Sequence, residues 1–142
     1  MDKKKLFQKF VFFTASVHHV THEMTKNAKS DTITLVQYSI LEYIYVNQPV
    51  TPSQISDCQN ISMPNTSREL KKLSEKLLIE KSGDSGDRRK QLIRLSKDGE
   101  LMMSLAFNVI ETHFVNRLKD ASLEDLEDIE LALDILQKKV FY

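Results

Sequence analysis

The chain contains one cysteine, Cys58, in 142 residues. That excludes an internal disulfide framework and any multi-cysteine zinc or iron–sulfur site built within one copy. Glycine and proline are scarce, with three of each, which excludes collagen-like or linker-rich designs and disfavours an all-β fold with its many tight turns. No apolar run approaches the roughly 18 residues of a membrane span, and the stretch after the N-terminal lysines is too polar to make one. That stretch also lacks a small-residue cleavage site, so the expectation is a cytoplasmic protein without a membrane partner. There is no glycine-rich phosphate loop and no nucleophile elbow, and the acidic residues of the tail fall on the outer face of an amphipathic helix. Catalysis and cofactors are therefore not expected.

What is present is a globular composition, 41% hydrophobic and 28% charged, in a chain long enough to bury a core. The net charge is zero, but it is unevenly distributed. Residues 1–29 carry a balance of +4, residues 30–61 of −3, residues 62–99 of +4 and residues 100–142 of −5. A basic middle and an acidic tail point to one surface built to meet an anion.

Leu6, Phe10, Phe13, Val17, Val20 and Met24 recur at helical spacing and predict a long amphipathic first helix. Thr34 and Gln37 form a capping box for a second helix, with Leu35, Tyr38, Leu41, Ile44 and Tyr45 inward. Thr51, Pro52 and Gln54 open a short third helix, closed at Asn60, a residue type that tolerates the left-handed conformation. Ser62 caps the next helix, which turns Leu70, Leu73 and Leu77 inward. The runs 78–81 and 91–95 read as strands of a hairpin around a charged, turn-rich loop. Ser96 opens another long helix, bearing Leu101, Leu105 and Val109, and Ser122 with Asp125 opens a last one, bearing Leu126, Ile129, Leu133 and Leu136. The expected fold is mostly α with a small β-hairpin. Residues 34–99 form a winged helix-turn-helix, and residues 1–33 and 100–142 form a helical dimerisation region.

Short helix, tight turn, polar-faced helix and basic hairpin is the order of a winged helix-turn-helix, and the residue types suit double-stranded DNA. Ser62, Asn65, Thr66 and Ser67 can hydrogen-bond base edges from a helix N-terminus lying in the major groove. Arg68, Lys71 and Lys72 can neutralise phosphates. Arg88, Arg89 and Lys90 at the hairpin tip can reach an adjacent minor groove, beside Asp87.

The run from Asp87 to Gly99, Asp-Arg-Arg-Lys-Gln-Leu-Ile-Arg-Leu-Ser-Lys-Asp-Gly, resembles the wing signature Asp-x-Arg…Leu-[Thr/Ser]-x-x-Gly of the multiple-antibiotic-resistance regulator (MarR) family. The stretch from Thr51 to Lys81 is similar to that family's helix-turn-helix in register. The resemblance implies a homodimeric transcription factor whose first and last two helices dimerise, with Arg89 entering the minor groove. Gln59, Ser56 and Leu78 depart from the family pattern, standing at usual apolar, Ala and Gly positions. The resulting expectation is a repressor that binds a pseudo-palindromic operator as a homodimer and is released by a small molecule.

Three smaller features remain. Phe10, Phe13, His18, Tyr38 and Tyr45 could line a pocket for an aromatic or lipophilic effector, although such spacing equally describes core. His18 and His22 stand four apart on one helical face, and with His113 they are the candidates for a metal site, the alternative being a zinc-responsive regulator of the same fold. Cys58 reads as a small packing residue. A further alternative is a helical protein–protein interaction module with a merely solvated wing.

Overall fold

The computed structural model describes residues 1–83 and 90–142. Its helices are α1 (Lys3–Thr25), α2 (Leu35–Asn47), α3 (Pro52–Gln59), α4 (Met63–Glu75), α5 (Lys97–Arg117) and α6 (Leu123–Lys139), with strands β1 (Ile79–Ser82) and β2 (Leu92–Leu95) between α4 and α5. Side-chain chemistry sets the helix starts. Thr34 and Gln37, Thr51 and Gln54, and Ser122 and Asp125 each close a reciprocal capping box. The Ser62 and Ser96 hydroxyls accept from the backbone N–H of Asn65 and Gly99.

The core is built around α2, which packs against α3, α5 and β2. Ile40, Leu41 and Ile44 of α2 meet Ile55, Leu73, Ile93 and Met103, all with no exposed surface. Truncating one of these isoleucines to Ala would cost about 2–5 kcal/mol in transfer and cavity terms. The strands pair antiparallel, Ile79 opposite Leu95 and Lys81 opposite Ile93. Val50 and Ile93 exchange two backbone hydrogen bonds, of 3.0 and 2.7 Å, and so join the α2–α3 connection to the hairpin.

Two connections need special backbone. Asn60 ends α3 at φ 53, as its residue type suggests. After α4 the left-handed residue is Leu77, at φ 61, one position before the Leu78 that stands at the family's usual Gly position. Leu77 therefore points outward, 69% exposed, and Leu78 takes the buried place, which corrects the inward assignment of Leu77. Of the other departures from the family pattern, Ser56 is buried and donates to the Ile61 carbonyl at 2.6 Å. Gln59 donates to the Ser39 carbonyl at 3.4 Å.

The terminal helices are different. Neither α1 nor α6 has a buried residue. On α5 the buried positions are Gly99, Met103 and Ala106, while Leu101, Leu105 and Val109, the apolar residues read along this helix, are exposed. Leu35 on α2 is exposed as well. A helical stripe identifies an apolar face but not which neighbour covers it. No helix of the described residues is long and apolar enough to cross a membrane.

Candidate nucleic-acid interface

The α4 helix divides cleanly between core and surface. Thr66, Leu70 and Leu73, at spacings of four and three, are buried, whereas Asn65, Arg68, Lys71 and Lys72 are exposed. Pro64 lies in the first turn, where its missing N–H leaves no helical bond unmade. The Ser62 hydroxyl accepts from Asn65 N at 3.2 Å, fixing the start of the helix. The first turn carries no acidic side chain, so the positive end of the helix dipole is left for an external anion.

Thr66 is a correction. Its side chain is fully buried and its hydroxyl donates to the Ser62 carbonyl at 2.9 Å, so it supports the turn and is withdrawn from the base-reading set. Asn65 stays exposed, and its carbonyl accepts from Arg68 Nη2. Bidentate reading of a base by that amide would require the pair to open or to act as one unit. Ser67 is half-buried on the side facing the hairpin, in the lining it shares with Arg68, Lys71, Lys81 and Gln91. Lys72 pairs with Glu69 at 3.6 Å, an exposed interaction worth no more than about 1 kcal/mol.

Of the hairpin-tip residues, Lys90 is exposed, while Asp87, Arg88 and Arg89 lie outside the described residues. At the base of the loop Gly83 has φ 99, and a Cβ there would come within 2.6 Å of the Lys90 carbonyl oxygen, so glycine is required.

Sequence reading missed the groups that brace this surface. Gln37, almost fully buried on α2, donates from Nε2 to Glu69 on α4 at 3.2 Å. Gln48 donates to Glu100 at 2.8 Å and accepts from Leu95 N at 3.0 Å, tying α2, β2 and α5 together. For Gln37 the signal was a polar residue spaced four and seven from Leu41 and Ile44 on α2, whereas Gln48, the residue that caps the end of that helix, carried none.

The expected effector pocket is split. His18 and Tyr38 share a cleft of about 380 Å³ between α1 and α2, also lined by Thr21, His22, Ser39 and Glu42. Phe10 instead lies against Phe141, with ring centroids 5.8 Å apart, and Tyr45 stacks on Phe107 at 5.0 Å. Phe13 is exposed. The remaining cleft is edged by polar groups and does not match a purely lipophilic lining. In it the Tyr38 hydroxyl is buried and makes no well-formed hydrogen bond. Burial first, and then the adjacent Glu42 carboxylate, push its pKa up to about 12.

The histidines do not converge. His18 and His22 line that cleft, whereas His113 lies in another one with Val20, Glu23 and Arg117. Among the described residues no three His, Cys, Asp or Glu side chains are placed to hold a metal ion. Cys58 is exposed rather than packed.

Residues 31–90 match the family model described as MarR family. Over 144 residues the chain is 26% identical to YdgG of Bacillus subtilis (strain 168), an uncharacterised HTH-type transcriptional regulator, covering 98% of this chain and 95% of that protein. A MarR family protein from Bacillus stearothermophilus superposes with a TM-score of 0.77 at 18% identity, covering 100% of this chain and 99% of that one. MepR, a transcription regulator of the Staphylococcus aureus multidrug efflux pump MepA, superposes with a TM-score of 0.66 at 20% identity, covering 91% and 96%. Structures of MepR include one bound to ethidium bromide and a mutant bound to an oligodeoxyribonucleotide.

Proposed function

We propose that this chain, whose residues 31–90 match the MarR family model and which is similar over its length to an HTH-type transcriptional regulator, is a DNA-binding regulator that represses transcription as a homodimer on a pseudo-palindromic operator. The observation that carries the reading is the division of α4, with Thr66, Leu70 and Leu73 in the core and Asn65, Arg68, Lys71 and Lys72 presented outward from a capped N-terminus. A helix so held can enter the major groove with amides at base edges and cations at phosphates.

Dimerisation is supported by the uncovered apolar faces of the terminal segments, 1–33 and 100–142. Leu6, Leu105, Leu126 and Leu133 are each at least 40% exposed, a patch that calls for a partner. An isologous contact between two such faces gives two α4 helices related by a two-fold axis. Half-sites would then lie about one DNA turn apart, roughly 34 Å.

Release by a small molecule is supported by the His18–Tyr38 cleft, since a ligand there touches both α1 of the dimerisation half and α2 of the reading half. The lining suits an aromatic compound with polar substituents. Such a ligand regulates only if its affinity differs between DNA-bound and free spacings, typically by about 1–3 kcal/mol.

Selection of bound sequences from random duplex DNA tests the proposal. An inverted repeat should emerge, and placed over a promoter it should confer repression by this protein. Recovery of no sequence preference would overturn it.

A further inference from the structure

Lys76 stands at the C-terminal cap of α4, and its side chain ties that end of the helix to two distant places. The ammonium donates to the Thr32 carbonyl at 2.5 Å and to Gln37 Oε1 at 3.3 Å, across 44 and 39 positions of sequence. Two of its three N–H donors are therefore given to the protein. Neither acceptor is a carboxylate. The contact joins backbone of the α1–α2 connection to a side-chain amide of α2 that is almost fully buried.

That connection, residues 26–34, is no slack linker. Lys29 donates to the Ser30 carbonyl at 2.9 Å and to the Ile33 carbonyl at 2.6 Å, and the Ser30 and Thr32 hydroxyls lie 2.8 Å apart. Ile33 is buried in the core. Three successive polar positions and one apolar anchor hold the segment, and Lys76 fastens it to α4. On its other side the connection continues from α1, which packs against α5. The reading half therefore meets the terminal segments at two places, this connection and the continuous helix α5. A body held through one helix can still swing about it. A second tie removes that freedom, and a hydrogen bond to a charged group is worth about tenfold or more in an equilibrium constant.

We infer that Lys76 is a positioning residue that sets the separation of the two α4 helices in the dimer, and with it the half-site spacing that the protein accepts. It acts through Thr32 and Gln37, not by touching DNA. The inference rests on the paired reading by α4 proposed above, and adds a determinant of spacing to residues that meet bases and phosphates. With the tie in place, a wrong spacing must be absorbed by bending the duplex or by losing contacts. Without it, the reading half can swing on α5 and follow the displaced half-site.

The test is fluorescence anisotropy of the full-length protein on the selected inverted repeat, and on versions with one base pair added or removed between the half-sites. One base pair moves a half-site by about 3.4 Å and turns it by roughly 35°. Wild type should prefer the native spacing. Lys76→Met, which keeps the aliphatic stem but no donor, should lower that preference by about tenfold, and Lys76→Arg should retain most of it. The preference is a ratio of affinities within one sample, so a smaller folded fraction cancels and a merely structural role would not move it. On a random-sequence duplex, the slope of log affinity against log salt should be the same in Lys76→Met as in wild type. A slope lowered by about one unit per protomer would make Lys76 a phosphate contact and overturn the inference. An unchanged spacing preference in Lys76→Met, with wild type still discriminating, overturns it as well and leaves the DNA-binding role standing. Wild type that binds every spacing alike overturns the inference together with the paired reading.

Discussion

The Gln37 amide donates to the Glu69 carboxylate at 3.2 Å, across 32 positions of sequence, and thereby fastens the first turn of α2 to the middle of α4. The same amide's oxygen accepts from Thr34 N at 3.1 Å and from Lys76 Nζ at 3.3 Å. One buried side chain thus serves a helix cap, the middle of α4 and the turn that follows it. Glu69→Ala would leave the buried Nε2 without this acceptor, at a cost on the order of 1–3 kcal/mol. Chemical denaturation should show that loss. A double variant with Gln37→Leu should lose less than the sum of the two single changes, and strict additivity would mean that the pair is not coupled.

Gly99 stands where α5 passes the end of β1, and an added Cβ would lie 2.1 Å from the Leu78 carbonyl oxygen. That oxygen also accepts from Ser96 N at 3.0 Å, so it cannot yield without breaking the start of α5. Gly99→Ala should cost about 3 kcal/mol, as overpacking does, and thermal melting would register it. A melting temperature equal to wild type would mean that the two segments can separate freely.

Leu77 offers the opposite case. A leucine at φ 61 carries a steric cost of roughly 1–2 kcal/mol; glycine removes it, and the larger entropy of glycine in the unfolded chain offsets part of that gain. Because the side chain is 69% exposed, Leu77→Gly should raise stability by about 0.5–1 kcal/mol. A destabilised variant would show that this leucine makes contacts worth more than its strain.

The helix boundaries were legible because caps are local chemistry. A Thr or Ser hydroxyl and a Gln or Asp three residues later meet whatever the rest of the chain does, so the starts at Thr34, Thr51 and Ser122 could be read directly. The hairpin was legible from its strand-like runs. Thr66 was misread because its hydroxyl suggests a surface, yet its spacing to Leu70 and Leu73 already marked it as inner. The pocket was less legible for a different reason. Which aromatic meets which depends on how helices cross, and no spacing in the sequence indicates that Phe10 lies on Phe141 or Tyr45 on Phe107.

Tyr38 should give the protein a measurable alkaline response. Its pKa is raised in the folded state to about 12, by burial first and Glu42 second, against an ordinary value of 10.0. The folded form therefore keeps its proton where the unfolded chain releases it. The stabilisation is complete below pH 10 and is lost as pH rises from 10 towards 12. Tyr38→Phe should flatten that part of the stability profile relative to wild type, and denaturation at several pH values would reveal it. Parallel profiles for the two proteins would place the titration elsewhere.

Asn65 and Lys72 should separate specificity from affinity. Asn65→Ala should cost on the order of 1–3 kcal/mol on the selected sequence and leave binding to scrambled DNA nearly unchanged. Lys72→Ala should weaken both alike. Gel shifts on the two duplexes decide it, and equal losses for Asn65→Ala would move base reading away from the first turn of α4.

Hydroxyl-radical footprinting of the selected duplex tests the central claim, that two copies joined through their terminal helices read DNA with paired α4 helices. Two symmetry-related protected segments should appear with centres about one helical turn, roughly 34 Å, apart. Leu133→Glu, which puts a charge on the exposed face of α6, should abolish both together. A single asymmetric protected segment, or full protection by a Leu133→Glu monomer, would contradict the account.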